Sequence, residues 1–151
     1  MLPNQQVSEK ALKNYQSGYN CAESVLLALY EHIEPKSKNE LVPKIAAGFG
    51  GGIGRCGSVC GALTGSIMAV GIQYASNETG VEKRAKAYAY AKTLLKTFEE
   101  QHGTTFCRDL IKYDLSNPEE AVKFRQEGIP QKVCSKLIKD AIENYFELET
   151  K

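Results

Sequence analysis

The chain has 151 residues, which is enough for one domain with a hydrophobic core. Hydrophobic residues make up 42% of it and charged residues 25%, a composition typical of globular proteins that argues against disorder. The sequence contains 19 lysines and arginines and 18 aspartates and glutamates, so its net charge is only +1. The basic excess typical of nucleic-acid-binding proteins is missing, so nucleic acid and acidic membranes are disfavoured as partners.

The N-terminal segment is predicted to form two helices. Residues 8–16 give a short first helix. Asn20 is an N-cap candidate with Glu23 three residues later, an arrangement typical of a capping box. The helix that it starts runs to about Ile33 and is apolar on nearly all sides, which predicts a central position.

A glycine-rich loop precedes the second central helix. The short apolar segment 41–49 leads into GFGGGIGRCG, and a long uncharged helix follows over about residues 58–75. Its apolar part, residues 59–72, is shorter than the roughly 20 residues that a bilayer requires. The sequence therefore predicts a buried central helix and no membrane span.

A charged helix is predicted over residues 81–101, with Thr79 and Glu82 as a second capping-box candidate. Gly103 ends it. Its apolar residues recur at helical spacing and predict one buried face, formed by Val81, Ala85, Tyr88, Leu95 and Phe98.

The C-terminal third is also predicted to be helical. Thr104 or Thr105 caps a short helix, Asn117 followed by Pro118 begins another, and Pro130 opens the last one. No segment alternates with the period of a strand. We therefore expect an all-α fold: a single-domain bundle of about five to seven helices over residues 1–151, built around the glycine-rich central helix.

Cysteine is the distinctive residue of this sequence. The first ten residues lack the charged start and apolar run of a signal peptide, which favours a cytoplasmic protein whose thiols stay reduced. An odd number of cysteines fits a disulfide scaffold poorly, so metal binding, redox chemistry and core packing remain open. The five are Cys21, Cys56, Cys60, Cys107 and Cys134.

Four of the five lie near predicted helix starts: Cys21, Cys60, Cys107 and Cys134. The N-terminus of a helix carries partial positive charge and unpaired N–H groups, which favour a thiolate over a thiol. The thiolate is both the nucleophile and the metal ligand. Only Cys56 and Cys60 are as close as the paired ligands of zinc ribbons, so the fold must assemble any site.

The glycine-rich loop formally matches G-x-G-x-x-G over Gly52–Gly57. The neighbouring segments are predicted to be helical and position 77 is Asn, so a dinucleotide-binding fold is rejected. Tight packing and an anion-binding nest of backbone N–H groups remain as alternatives. The stripe of Gly57, Gly61 and Gly65 predicts that another helix or a ligand approaches the central helix closely.

Charged neighbours of the cysteines are candidate modulators. His102, five residues before Cys107, is a candidate base for a thiol, or else a solvated residue that complements a helix dipole. Arg55 beside Cys56, and Arg108 beside Cys107, would lower the pKa of a neighbouring thiol.

The segments around the cysteines resemble a known family. CGALTG, residues 60–65, is a CGAxxG motif, with YNCA at 19–22 upstream and CRDL at 107–110 and CSKL at 134–137 downstream. Over about residues 18–141 the chain is similar to the C_GCAxxG_C_C family of redox-active proteins. The resemblance implies redox function and maps the family's four characteristic cysteines onto Cys21, Cys60, Cys107 and Cys134. Cys56 lies outside that pattern, and no C-x-x-C-H is present for covalent haem.

Three functions are compatible with these features. In the first, two or more of the four cysteines cycle between thiol and disulfide with an unidentified redox partner, and Cys60 is the most reactive thiol. In the second, the same four cysteines hold an iron–sulfur cluster or zinc, and Gly61 and Gly65 contact this cofactor. In the third, the chain is a binding module, with or without forming a homodimer, and its cysteines only pack the core.

Overall fold

Eight α-helices make up the fold in the computed structural model, which describes residues 1–150. A π-helical turn, Pro130–Cys134, leads directly into the last helix, and 3₁₀ turns cover Ala47–Phe49 and Leu148–Thr150. The all-α prediction is confirmed, with slightly more helices than expected. The bounds are α1 Pro3–Gln16, α2 Cys21–Ile33, α3 Leu41–Ala46, α4 Gly61–Tyr74, α5 Val81–His102, α6 Cys107–Ile111, α7 Pro118–Gln126 and α8 Ser135–Glu147.

Two predicted helix caps are confirmed. At the start of α2, Glu23 N–H donates to Asn20 Oδ1 at 2.9 Å, and Asn20 N–H donates to Glu23 Oε1 at 2.9 Å. At the start of α7, Asn117 Oδ1 accepts hydrogen bonds from the backbone N–H groups of Glu119 and Glu120, the two residues that follow Pro118. Such caps satisfy backbone donors that a helix leaves unpaired, and each contributes about 1 kcal/mol.

Other caps were predicted wrongly. α1 begins at Pro3 and not at Ser8. Gly80, not Thr79, is the N-cap of α5, and its φ of +128° is open only to glycine without strain. Phe106, not a threonine, precedes α6, while Thr104 Oγ1 instead accepts from the Phe106 N–H at 3.1 Å.

The predicted buried face of α5 is mostly wrong: of its five residues only Phe98 is buried, and Ala85 and Leu95 are exposed. Val81 and Tyr88 are 69% and 61% exposed. The buried residues of this helix are Leu94 and Phe98, because only its second half reaches the main core.

The core is centred on α2 and α4, which confirms the predicted buried glycine-rich central helix. Gly65 of α4 lies against α2, where a β-carbon would come within 2.7 Å of the Ala22 carbonyl oxygen. No helix in residues 1–150 is long and apolar enough to cross a bilayer. The largest fully buried aliphatic and aromatic side chains come from α2, α4, α5 and α8, and burial of each contributes roughly 1.5–3 kcal/mol: Leu26, Leu29, Leu63, Leu94, Phe98, Ile138 and Ile142.

Candidate functional site

Three of the four cysteines of the family-like pattern lie at helix starts, and the fourth lies about one turn inside a continuous helical segment. Cys21 is the first residue of α2 and Cys107 the first of α6. Cys60 immediately precedes α4, and Cys134 ends the π-helical turn that leads into α8. The prediction that these residues lie near helix starts is confirmed, although several of the capping residues differ.

Backbone pairing holds two of these helix starts together. The Cys60 N–H donates to the Thr105 carbonyl at 2.8 Å, and the Cys107 N–H donates to the Ser58 carbonyl at 2.7 Å. Positions 59 and 106 form an isolated antiparallel bridge between these bonds. The beginnings of α4 and α6 are therefore joined directly, which brings Cys60 and Cys107 into one region.

A cavity of about 470 Å³ opens beside this region, and three of the four cysteines line it: Cys21, Cys107 and Cys134. Cys60 does not line the cavity and is only 4% exposed. The other lining residues are the polar side chains of Tyr15, Asn20 and Arg55, the apolar side chains of Ala47, Ile111, Leu115 and Phe124, and Gly50, Gly51 and Gly54.

Cys21 is the thiol that affects the pKa values of the other three most. Charge on Cys21 raises the pKa of Cys60, Cys107 and Cys134, and for each of them it has the largest effect of any other cysteine. Cys107 in turn raises the pKa of Cys60 and of Cys134. The four thiols thus form one interacting group, although the sequence separates them by tens of residues.

Burial raises the pKa of all four thiols and outweighs the helix N-termini. For Cys107 and Cys134 the pKa rises to about 12. The Cys60 thiol, expected to be the most reactive, has a pKa well above its ordinary range, since burial dominates over the nearby N–H groups of Ala62 and Leu63. A buried thiol away from the cavity wall is a poor nucleophile, so the structure argues against that role for Cys60.

Cys21 has the surroundings that most favour a thiolate. Burial raises its pKa, but its own N–H and those of Ala22, Gly51 and Gly61 act on the sulfur and lower the pKa. These N–H groups come from the start of α2, from the glycine-rich loop and from the start of α4. Among the thiols that line the cavity, Cys21 is the one surrounded by backbone donors.

Gly61 and Gly65 lie behind the cavity wall. A β-carbon on Gly61 would come within 2.6 Å of Cys21 Sγ, and one on Gly65 would meet the backbone of Ala22. The missing side chains of Gly61 and Gly65 therefore leave room for Cys21 and for the backbone of α2. Contact between these glycines and a cofactor remains a prediction.

Tyr15 is a site residue that the sequence analysis missed. Its hydroxyl hydrogen-bonds the Cys134 sulfur and lowers the pKa of that thiol. Burial, in turn, raises the pKa of Tyr15 well above its ordinary range. Nothing in the sequence marks this tyrosine, because it lies at the end of α1 and reaches Cys134 only through the packing of α1 against α8.

The glycine-rich loop turns in a left-handed sense. Five consecutive residues, 51–55, have φ between +58° and +71°, among them the non-glycine residues Ile53 and Arg55 at +64°. The turn is closed by backbone hydrogen bonds such as that from Gly54 N–H to the Gly48 carbonyl at 2.9 Å. At Gly52 a β-carbon would lie 2.6 Å from Cys107 Cβ. The loop thus needs glycine both for its backbone conformation and for contact with the cysteine cluster.

The donor set suits a metal chemically, but the sulfurs as placed do not form a site for a single ion. Within residues 1–150, no three side chains of cysteine, histidine, aspartate or glutamate lie close enough to hold one. The four cysteines surround the cavity region and do not converge on one point. Zinc or a cluster held by Cys21, Cys60, Cys107 and Cys134 remains a prediction.

The remaining candidates lie outside the cavity. Cys56 is exposed and does not line it. His102 does not line it either, and its Nε2 lies 3.2 Å from a carboxylate oxygen of Asp140, so nothing in this arrangement makes it a base for Cys107. Arg108 does lower the pKa of Cys107, as expected, but burial outweighs its effect.

Comparisons with known proteins agree with the cysteine pattern. The family model described as "Putative redox-active protein (C_GCAxxG_C_C)" matches residues 19–148, a span that contains all four clustered cysteines. A protein of Archaeoglobus fulgidus described as uncharacterized is 36% identical over 99 residues. The match covers 60% of this chain and 64% of that relative, so the chain spans less than two thirds of the relative's length. No solved structure matches the chain.

Proposed function

Because the chain belongs to the C_GCAxxG_C_C family of redox-active proteins, we propose that it transfers two electrons by thiol–disulfide exchange at its cysteine cavity. The observation that carries the proposal is the gathering of four free cysteines around one cavity, three of them on its wall. Free cysteines of this kind persist in a reducing compartment, which supports a cytoplasmic location.

Cys21 is the attacking thiol in this proposal. It lines the cavity, and backbone N–H groups favour its thiolate. Its charge also raises the pKa of each of the other three cysteines. Its thiolate attacks one sulfur of a disulfide substrate, so that a Cys21–substrate bond forms as the substrate S–S bond breaks. The released thiolate takes a proton.

A second cavity cysteine, Cys107 or Cys134, then attacks the Cys21 sulfur. The intramolecular disulfide forms, and the second half of the substrate leaves as a thiol. Two protein thiols are oxidised and one substrate disulfide is reduced to two thiols, which balances atoms and electrons. Cys60 is buried, does not line the cavity and takes no part in these two steps.

Oxidation of the reduced protein under anaerobic conditions tests the proposal. Bis(hydroxyethyl) disulfide is the oxidant, and mass spectrometry after alkylation counts and locates the remaining thiols. We expect wild type to lose two thiols from the group Cys21, Cys60, Cys107 and Cys134. Cys21→Ser should abolish formation of the intramolecular disulfide, whereas the matched control Cys56→Ser should leave it unchanged. Equal oxidation of wild type and Cys21→Ser would contradict the proposal.

An iron–sulfur cluster is the second candidate function. Four thiols and backbone N–H groups around one region are the ligands and hydrogen-bond donors that such clusters use. The residues that would hold it are Cys21, Cys60, Cys107 and Cys134, and the cluster would supply one-electron transfer. Elemental analysis after anaerobic purification separates the two candidates: stoichiometric iron lost in each of the four Cys→Ser variants supports the cluster, and its absence supports thiol chemistry.

A further inference from the structure

We infer that Arg55 makes the cysteine cavity a binding site for small anions, so that its substrate is a low-molecular-weight disulfide carrying carboxylate groups. The inference rests on the proposed function for the chemistry at Cys21. The residues that line the cavity, and its volume, indicate the charge and the size of the substrate.

Arg55 dominates the charge of the cavity. Among the residues that the structure describes, it is the sole ionisable group on the wall apart from the thiols and the Tyr15 hydroxyl, and no carboxylate lines the cavity. Within residues 1–150, Arg55 belongs to no ion pair. Arg108, by contrast, already pairs with Asp114 at 3.1 Å. An arginine without a carboxylate partner leaves its planar set of donors free for a ligand carboxylate.

The loop fixes Arg55 in relation to Cys21. Arg55 lies against Gly51, where a β-carbon would come within 2.8 Å of both Cα and Cγ of the arginine. The N–H of the same Gly51 acts on the Cys21 sulfur and lowers the pKa of that thiol. One glycine therefore lies against the backbone and side-chain stem of Arg55 and also acts on the proposed nucleophile.

The backbone of Arg55 is held in an unfavourable conformation. Its φ of +64° lies in the left-handed region, which is unfavourable for a residue other than glycine. Such conformations persist where the surrounding structure imposes them, and they are frequent at ligand-binding sites. Here the conformation places a cation on the wall of a cavity lined by thiols.

The volume of the cavity and the polarity of its lining residues further limit which substrates fit. A cavity of about 470 Å³ lies within the range of small-molecule sites. The Asn20 side chain is already committed, since its Oδ1 accepts from Glu23 N–H and its Nδ2 donates to the Ala47 carbonyl. Arg55 is therefore the side chain left to bind an anionic group, while Ile111, Leu115 and Phe124 provide an apolar wall for the rest of the molecule.

Three disulfides of different charge test the inference on the reduced full-length protein: dianionic dithiodiglycolate, neutral bis(hydroxyethyl) disulfide and dicationic cystamine. Each rate of protein oxidation is divided by the rate of the same disulfide with free mercaptoethanol, which removes differences in intrinsic reactivity. We expect the corrected rate to fall by about fivefold or more at each step from dianion to neutral to dication. High salt should reduce these ratios because exposed charges are screened.

Substitution of the arginine provides the second arm. Arg55→Asn removes the charge while keeping a residue that tolerates the left-handed region, and we expect it to bring the three corrected rates within about twofold of one another. The matched control Arg84→Asn removes an exposed arginine from α5, which contributes no residue to the cavity, and should leave the ratios unchanged.

The outcomes separate this inference from the proposed function. Equal corrected rates for the three disulfides in wild type, or the wild-type ratios retained in Arg55→Asn, would overturn the anion site while leaving thiol chemistry intact. A preference for a protein disulfide over all three small ones would also overturn it. If none of the oxidants forms a disulfide at Cys21, the proposed function fails together with the inference. If Arg55→Asn does not fold, the charge series and its salt dependence in wild type still decide.

Discussion

The sulfur of Cys21 lies against the backbone of Gly61, so closely that a β-carbon at position 61 would come within 2.6 Å of it. α4 lacks a side chain at its first residue, and the first residue of α2 occupies that space. The same approach lets the Gly61 N–H act on the sulfur and lower the pKa of the thiol. The geometry of the cysteine cluster therefore depends on a missing side chain as much as on the cysteines themselves.

Gly61→Ala is expected to displace Cys21. The added methyl group would also meet the Ala22 nitrogen and the Phe49 carbonyl oxygen, both at 3.1 Å, so the backbone must shift. We expect the free energy of unfolding to fall by about 1–3 kcal/mol, as for other overpacked sites. Urea denaturation measures this change, and alkylation kinetics should show a changed reactivity of Cys21.

Gly71→Ala is the matched control on the same helix. Within residues 1–150, and apart from the neighbouring backbone of α4 itself, no atom lies within 4 Å of a β-carbon at position 71. Alanine is the better helix former by about 1 kcal/mol, so this variant should be as stable as wild type or more stable. Equal destabilisation of the two variants would show that Gly61 has no special contact with Cys21.

The alkylation rate of Cys21 should keep rising at alkaline pH. Because burial raises the pKa of this thiol, its thiolate fraction is still increasing at pH 9, where an ordinary cysteine with a pKa of about 8.5 is mostly ionised. We expect the rate to rise throughout the range from pH 7 to 9 without levelling off, in a Cys56→Ser background followed by mass spectrometry of the Cys21 peptide. A plateau below pH 8 would contradict a raised pKa.

Stability should decrease as the pH rises above about 9. Burial raises the pKa of Cys107 and of Cys134 to about 12, so the folded chain keeps protons that the unfolded chain has already lost. The stabilisation is complete below the pKa of the unfolded thiols and disappears as the pH approaches 12. Each such thiol lowers the free energy of unfolding by up to about 1.4 kcal/mol per pH unit in that range.

Denaturant curves at pH 8, 9 and 10 measure this slope. Cys107→Ala lacks one of the buried thiols and should therefore lose stability less steeply than wild type over the same range. The same slope in both proteins would mean that the Cys107 thiol ionises as easily in the folded chain as in the unfolded one.

Tyr15→Phe should make Cys134 less reactive. The variant removes the hydroxyl that hydrogen-bonds the Cys134 sulfur and lowers the pKa of that thiol. We expect alkylation of Cys134 at pH 8 to slow by about threefold to tenfold, since one hydrogen bond is worth about 1 kcal/mol. Tyr30→Phe is the control, because it removes a hydroxyl that pairs with Ser37 Oγ at 2.8 Å, away from the cavity. Faster labelling of Cys134 in Tyr15→Phe would refute the role of the hydroxyl.

Local sequence signals were sufficient for much of the fold. The Asn20 and Glu23 pair and the Asn117–Pro118 step act within one helical turn, so spacing alone identified both helix starts correctly. The exposed first half of α5 was not predictable in this way, because its burial depends on how far a long helix extends beyond its neighbours. Val81 and Tyr88 have the spacing of core residues without a partner to cover them.

The site was only partly predictable for the same reason. The identity of the four cysteines and their positions near helix starts follow from motif and cap spacing, but their gathering around one cavity does not. Their pKa values do not, because desolvation depends on the packing of α1, α2 and α8 around them. The Tyr15 contact and the proximity of Arg55 to Cys21 through Gly51 are tertiary relationships, and no pattern within a single segment encodes them.

The most direct test of the central claim is a redox titration of the anaerobically purified protein in graded glutathione buffers, with the free thiols located by mass spectrometry at each potential. Thiol–disulfide chemistry at the cavity predicts one reversible two-electron step, in which an intramolecular disulfide containing Cys21 replaces two free thiols while Cys56 stays outside it. A Cys21 that remains a free thiol at every potential, or is held by stoichiometric iron or zinc, would contradict the claim.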